Sequence, residues 1–167
     1  YGVHVPLQAR RDLIDYFAAK ADPKSDQRNP LYAAMIKHTD EAIGRVWSAV
    51  EEAGLAEKTV VVFLSDNGGV TVGGGRLPNP DDKLFTSNLP LRGEKGDIYE
   101  GGVRVPGFVI WPGVGRTGAT SEVSFSTIDV LPTVAEICGL QGMPKVDGRS
   151  VAAAVAGKPL PERPVFM

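Results

Sequence analysis

The feature that most constrains this chain is a continuous apolar run that stops abruptly at four polar or small residues. The run VVVFLS covers residues 60–65 and is rich in β-branched side chains, and DNGG follows it directly at residues 66–69. A run of this kind is typical of a strand covered on both faces, as in a parallel sheet. In open sheets of that type, ligands bind beyond the carboxyl ends of the strands. The run therefore predicts a buried strand whose polar end is a candidate site.

The elements on either side of this strand predict an α/β fold. A helix is expected within LQARRDLIDYFAAKAD, and a longer one begins at Pro30, is capped by Asn29 and ends near Gly54. VPGFVIWPG predicts a second strand, residues 121–124 a further one, and YGVHVPLQ the end of another. IDVLPTVAEICG predicts a helix with Pro132 in its first turn and Gly139 past its end. We therefore expect helices packed on a mainly parallel sheet, in a single domain over residues 1–167.

Composition excludes several classes of partner and site. The formal charge of −2 and the pI near 5.7 give no broad basic surface, so neither a nucleic acid nor an anionic membrane is expected as a partner. Cys138 is the single cysteine, which rules out an internal disulfide and a cysteine-based zinc site. No apolar run approaches the roughly 18 residues of a membrane helix.

The DNGG segment has two interpretations. Asn or Asp followed by Gly often forms a tight turn, because such turns need residues with positive φ. Alternatively, the oxygens of Asp66 and Asn67 coordinate a hard divalent cation such as Ca²⁺. Such a cation takes about 6–8 oxygens, of which two side chains supply at most about three. The cation interpretation therefore requires further ligands from elsewhere.

A second cluster, LRGEKGDIYEGGVRVP, covers residues 91–106. Glycines flank Glu94 and Lys95, so the backbone can turn sharply and bring Lys95 close to an anion. The alternative is a solvated loop whose charges only keep it soluble. The sequence between the two clusters, residues 68–90, is rich in Gly, Pro, Asn and Asp and predicts a long functional or mobile loop. Neither glycine-rich phosphate-binding motif of nucleotide-binding proteins occurs.

Taken in order, five segments resemble the sulfatase family of the formylglycine-dependent arylsulfatase type. They are YGVHVPLQ, LSDNGG, NLPLRGEKGDIYEGGVRVPGFVIWPG, STIDVLPTVAEICGL and DGRSV. The resemblance implies an alkaline-phosphatase-like sheet with a Ca²⁺ ion at the carboxyl ends of its strands. It also implies a formylglycine, made from a cysteine or serine, that attacks the sulfur of a sulfate ester. The implied substrate is a sulfated small molecule or saccharide.

Four residues match positions with roles in that family. By this resemblance, Asp66 and Asn67 are metal ligands, Lys95 binds the sulfate group and the formylglycine, and His4 contacts the sulfate and the leaving-group oxygen. Glu100 and Arg104 lie inside the matched motif, and we expect them to support the loop. Without the resemblance, the favoured interpretation of His4 is a strand-end histidine bonded to nearby backbone.

The chain departs from the family at the nucleophile. Cys138 stands in EICGL without the Pro and Arg that surround the modified cysteine, and we expect it to be a small core residue. The resemblance then implies a later part of a catalytic domain, lacking the part that bears the nucleophile and the small C-terminal subdomain. A bare sheet edge would permit self-association. The family works in periplasmic, extracellular or lysosomal settings, but this sequence carries no address.

Two alternatives to a sulfatase remain open at this point. The alkaline-phosphatase-like superfamily also includes enzymes that cleave phosphate or phosphonate esters with the same geometry. The second alternative is a non-catalytic module that binds calcium and an anion.

Overall fold

The structure, a computed structural model, describes residues 2–4, 6–71 and 85–164. Most of the loop predicted at residues 68–90 therefore lies outside the described residues. The chain divides into two compact units. The first comprises Tyr1–Ala53 and Asn67–Val105, and the second comprises Gly54–Asp66 and Pro106–Met167.

The two longest helices of the first unit, α1 (Arg11–Lys20) and α2 (Pro30–Glu52), pack against each other. The side chain of Asn29 accepts a hydrogen bond of 3.0 Å from the backbone nitrogen of Tyr32, and Pro30 occupies the first helical turn. This cap satisfies a donor that the first turn would otherwise leave unpaired. Both predicted helices are confirmed. Ala34 of α2 is fully buried.

A short helix, α3 (Glu100–Val103), follows in the same unit and was not predicted. Its sequence EGGV contains two glycines, and because glycine has a low helix propensity, the sequence did not predict a helix here. The strand end predicted in YGVHVPLQ is wrong, because residues 2–4 and 6–8 belong to no strand. Gly2 lies instead against α2, where a Cβ on it would stand 2.4 Å from Oγ1 of Thr39.

The second unit contains an antiparallel pair of strands, β1 (Val61–Leu64) and β2 (Gly107–Ile110). Val61 lies opposite Ile110, and the ring of Phe63 stacks on that of Phe108 with centroids 5.0 Å apart. Both strands are therefore confirmed, but the expected parallel direction is wrong for the described residues. All four residues of β1 are half-buried, so it is also not covered on both faces within the unit. An apolar run favours a strand, but it does not encode the direction of its neighbour.

Helix α4 (Val130–Ile137) agrees with its prediction and follows a 3₁₀ turn at Thr127–Asp129. Pro132 lies in its first turn, and Gly139 follows its end with a φ of +67°. Cys138 is exposed at the end of the helix, so the expectation of a core residue is wrong. Residues 121–124 form no strand, since no neighbouring described segment pairs with them.

Asp129 is the buried polar centre of the second unit. Its carboxylate accepts hydrogen bonds from the backbone nitrogens of Ser126, at 2.9 Å, and Arg149, at 2.8 Å, and it pairs with the guanidinium of Arg163. The hydroxyl of Thr133 donates to the carbonyl of Asp129 at 2.6 Å and accepts from the nitrogen of Val151 at 3.0 Å. The DGRSV segment is thereby fixed against α4, just before the short helix α5 (Ala152–Val155).

Within the described ranges, no helix combines the length and the apolar character that a membrane crossing requires.

Candidate functional site

A tight turn in the first unit presents Lys95 to solvent. Gly93 and Gly96 have φ values of +88° and +96°, a region that residues with a Cβ rarely adopt. The carboxylate of Asp97 accepts a hydrogen bond of 3.0 Å from the nitrogen of Glu94, and the nitrogen of Asp97 donates to the carbonyl of Glu94 at 2.9 Å. These contacts close the turn and leave the side chain of Lys95 exposed.

Gly68 packs directly against the backbone of α3. Its nitrogen donates to the carbonyl of Gly102 at 2.9 Å, and a Cβ at this position would stand 1.7 Å from the carbonyl oxygen of Gly101. Real Cβ atoms do not approach an oxygen so closely. Glycine is therefore required at position 68, because the segment after Asn67 and helix α3 approach each other closely there. From the sequence alone, a glycine needed for close packing looks the same as a glycine needed for a turn.

The two glycines of α3 in turn pack against the Lys95 turn. A Cβ on Gly101 would lie 2.1 Å from the carbonyl oxygen of Gly93, and one on Gly102 would lie 2.2 Å from that of Asp97. The nitrogen of Gly101 also donates to the carbonyl of Arg92 at 2.7 Å. Both glycines are buried. The segment after Asn67, helix α3 and the Lys95 turn thus form one stack of closely packed backbone.

Hydrogen bonds connect the same three segments. The carbonyl of Gly69 accepts from the nitrogen of Lys95 at 3.2 Å and from Nδ2 of Asn88 at 2.9 Å. One carboxylate oxygen of Glu94 accepts from the nitrogen and the hydroxyl of Thr71, at 2.6 Å and 2.9 Å. Asn88 and Glu94 were not predicted to matter, because nothing in the sequence marks which polar loop residues bond to distant backbone.

Lys95 and His4, which are 91 positions apart, lie together in the first unit. Nζ of Lys95 is 3.4 Å from Nε2 of His4, and both side chains are exposed. The ammonium group is a donor, so Nε2 acts as the acceptor in this contact when the imidazole is neutral. The structure thus brings these two candidate residues into contact, and their roles in binding sulfate stay a prediction.

Asp66 and Asn67 are consecutive in the chain and fall on the two sides of the division between units. Asp66 is exposed just after β1, and the hydrogen bond of 3.2 Å from the nitrogen of Ser65 to the carbonyl of Pro106 extends the strand pairing to this point. Asn67 is half-buried, and its Nδ2 donates to the carbonyl of Gly68 at 3.0 Å. This hydrogen bond uses the amide nitrogen of Asn67, which cannot bind a cation. The atom of this side chain that can bind a cation is Oδ1.

The donor set suits a hard cation but supplies only part of a site. Carboxylate and amide oxygens are ligands that Ca²⁺ prefers. Among residues 2–4, 6–71 and 85–164, however, no group of three or more His, Cys, Asp or Glu side chains could hold a metal ion. Asp66 and Asn67 therefore fit calcium chemically as a partial ligand set.

The remaining residues of the matched motif make local contacts. Glu100 and Arg104 form an exposed ion pair of 3.3 Å across one turn of α3 and its end. The guanidinium of Arg92 lies 3.7 Å from the centre of the Tyr99 ring, a cation–π contact.

Comparison with known proteins decides the family. The family model described as Sulfatase matches residues 1–140. The chain belongs to the sulfatase family. A sulfatase from Formosa agariphila is 40% identical over 172 residues, which cover 93% of this chain and 28% of that protein. Mouse steryl-sulfatase is 39% identical over 128 residues, covering 75% of this chain and 20% of the relative.

A solved structure, that of Ps i-CgsB in complex with k-i-k-neocarrahexaose, is similar to this sulfatase chain with a TM-score of 0.76 and 28% sequence identity. The similarity covers 93% of this chain and 32% of that one. It confirms the alkaline-phosphatase-like α/β fold class as a partial fold. The chain spans about a fifth to a third of the length of these relatives.

No cysteine or serine of this sulfatase chain is followed by the x-P-x-R pattern of the modified residue, so the formylglycine of the family has no fitting position in it. Cys138 is the single cysteine, and it lies exposed at the end of α4 with neither a Pro nor an Arg in the required places. We therefore assign no reaction step to Cys138.

Proposed function

We propose that this chain supplies part of the active site of a sulfatase that hydrolyses sulfate esters. The observation that supports it most directly is the contact between Lys95 and His4, whose exposed side chains bring their nitrogens within 3.4 Å of each other. When His4 is protonated, both nitrogens are donors, and at this separation they can bind two oxygens of one tetrahedral anion. The Lys95 turn is held by close-packed backbone, which fixes the point from which the lysine side chain extends toward the anion.

In the proposed reaction, Lys95 stabilises charge on the sulfuryl group. Cleavage of the ester S–O bond spreads negative charge over the nonbridging oxygens and leaves an electron pair on the departing oxygen. The ammonium of Lys95 binds a nonbridging oxygen. His4, in its protonated form, donates a proton or a hydrogen bond to the departing alkoxide or phenoxide. We propose that this chain is part of a longer protein, which we call the parent protein. The nucleophile, the formylglycine of the family, lies elsewhere in that parent protein.

We further propose that Asp66 and Asn67 are two ligands of a Ca²⁺ ion. Their oxygens are of the type that Ca²⁺ prefers, and consecutive residues keep their Cα atoms about 3.8 Å apart. Asp66 and Asn67 would hold the ion, which would supply fixed positive charge to the site when bound. The remaining ligands come from other parts of the parent protein, since about 6–8 oxygens are needed.

The proposed substrate is a sulfated saccharide or other small sulfate ester. Support comes from the family membership of the chain and from its similarity to Ps i-CgsB, whose structure contains k-i-k-neocarrahexaose.

Titration of this chain with inorganic sulfate tests the proposal. We expect NMR signals of Lys95 and His4 to shift saturably with sulfate, and the His4 shift to vanish in Lys95→Met. Lys58→Met, which removes an exposed lysine of the second unit, is the matched control and should leave the shifts unchanged. Equal sulfate affinity in Lys95→Met and the wild type would contradict the proposed anion site.

Hydrolysis assays on the parent protein identify the ester. We expect turnover of 4-nitrophenyl sulfate to exceed that of 4-nitrophenyl phosphate. The reverse order would replace the sulfatase assignment by a phosphate-ester hydrolase with the same fold.

Calorimetric titration with Ca²⁺ separates an incomplete catalytic site from a self-sufficient binding module. Two ligands predict weak or undetectable binding by this chain, and binding with submillimolar affinity that disappears in Asp66→Ala would instead favour the module.

A further inference from the structure

We propose that Asn88 is a positioning residue that fixes Lys95 relative to the segment that follows Asn67. The inference rests on the proposed role of Lys95 in anion binding. Asn88 itself contacts no reacting group. It acts through two backbone carbonyls that belong to the segments on either side of the site.

The amide of Asn88 bridges these two segments. Its Nδ2 donates to the carbonyl of Gly69 at 2.9 Å and to the carbonyl of Gly93 at 3.1 Å. Gly69 is two residues after Asn67, and Gly93 is two residues before Lys95. A primary amide nitrogen carries two hydrogens, so one side chain satisfies both carbonyls at once.

The carbonyl of Gly69 is also the acceptor for Lys95. The backbone nitrogen of Lys95 donates to it at 3.2 Å, so Asn88 and Lys95 share one oxygen. Space at this point is tight, because a Cβ on Gly69 would lie 3.0 Å from Oδ1 of Asn88 and 2.5 Å from Cγ2 of Thr86. Asn88 therefore donates a hydrogen bond to Gly69 and packs against it, and Gly69 is the residue whose carbonyl accepts the hydrogen bond from the backbone nitrogen of Lys95.

The residues just before Asn88 are also held in place, by hydrogen bonds to Gln27. The hydroxyl of Thr86 donates to Oε1 of Gln27 at 2.8 Å, and Nε2 of Gln27 donates to the carbonyl of Ser87 at 2.7 Å. Residues 86–88 are thus tied to the loop that precedes α2 by one set of bonds and to the Lys95 turn by another. Gln27 offers a matched control, since its removal loosens the same segment but leaves the bridge of Asn88 intact.

Hydrogen exchange in this chain tests the positioning role without catalysis. In Asn88→Ala, we expect exchange of the Lys95 amide to accelerate about tenfold or more, while protected amides of α2 keep their wild-type rates. Gln27→Ala should leave the Lys95 amide unchanged. Unchanged protection of Lys95 in Asn88→Ala would overturn the inference, and so would equal acceleration at Lys95 and throughout α2, which indicates a general loss of stability.

Kinetics of the parent protein provide the functional test. Misplacement of a catalytic group by about 1 Å can cost roughly 100-fold in rate. We expect Asn88→Ala and Asn88→Asp to lower kcat by tenfold to 100-fold at a temperature where both remain folded, and Gln27→Ala to change it less than threefold. In Asn88→Asp a carboxylate faces two carbonyl oxygens, so its kcat should be at least as low as that of Asn88→Ala.

The outcomes separate the inference from the proposed function. If Lys95→Met lowers kcat and the Asn88 variants do not, the role of Asn88 is wrong and that of Lys95 stands. If Lys95→Met retains the wild-type kcat, the proposed function itself fails.

Discussion

Nζ of Lys95 lies 3.4 Å from Nε2 of His4, although the two residues are 91 positions apart. Lys95 is presented by a turn that needs positive φ at both flanking glycines, and the segment before His4 lies against α2. The pairing therefore depends on helix α2 and on the glycine-packed loops together.

Replacement of Lys95 tests the importance of this pair for catalysis. In the parent protein, Lys95→Ala should lower kcat/KM for an aryl sulfate about 100-fold to 1,000-fold, comparable with the loss of one strong electrostatic donor. Steady-state kinetics with 4-nitrophenyl sulfate measure this. Lys58→Ala is the control and should behave as the wild type. A Lys95→Ala variant with the wild-type rate would remove Lys95 from the mechanism.

Replacement of Gly68 tests the close approach of backbones at the site. In Gly68→Ala the new Cβ would lie 1.7 Å from the carbonyl oxygen of Gly101, so α3 or the segment after Asn67 must shift. We expect the free energy of unfolding to fall by about 1–3 kcal/mol, as for overpacked cores. Gly44→Ala in α2 is the matched control, since nothing lies within 4 Å of its added Cβ, and it should gain about 0.5–1 kcal/mol. Urea unfolding curves distinguish the two, and similar changes in both variants would argue against tight packing at Gly68.

Replacement of Asp129 tests the buried ion pair of the second unit. Asp129 is fully buried and pairs with Arg163, so Asp129→Asn leaves a guanidinium without its counter-charge. Breaking such a pair costs about 3–5 kcal/mol in free energy of unfolding. Asp147→Asn, on an exposed side chain nearby in sequence, should change stability by less than about 0.5 kcal/mol. Denaturant titration gives both values, and an Asp129→Asn variant as stable as the control would show that the pair contributes little.

Alkaline unfolding tests the environment of Tyr32. Burial raises the pKa of Tyr32, and a hydrogen bond with Thr86 partly opposes this shift. Because the folded pKa lies above the unfolded value of about 10, the neutral phenol favours folding. Its contribution is present below about pH 10 and is lost as pH rises through the folded pKa.

The Tyr32→Phe variant should therefore lose less stability than the wild type as the pH rises above about 10. Tyr16→Phe is a control with the opposite expected effect. A hydrogen bond from Lys20 lowers the pKa of the exposed Tyr16, so this variant should lose more stability than the wild type as the pH rises. Thermal unfolding across this pH range provides the measurement. Parallel pH profiles for the wild type and Tyr32→Phe would contradict the effect of burial.

Local patterns predicted much of the fold because their causes are local. The cap at Asn29, the first-turn Pro30 and the apolar spacing placed α2, and the β-branched run placed β1. Helix α3 was missed because its glycines serve packing against other segments, not helix formation. The antiparallel direction of β1 and β2 was missed because an apolar run carries no information about direction.

The sequence by itself determined the family, the order of elements and the identities of Lys95, His4, Asp66 and Asn67 as candidates, because motifs in a fixed order need no coordinates to be recognised. Only the tertiary structure decided that Lys95 and His4 meet and that Asn88 bridges the carbonyls of Gly69 and Gly93. Contacts between residues far apart in the chain depend on how whole segments pack. No local preference of a histidine, a lysine or an asparagine specifies that packing.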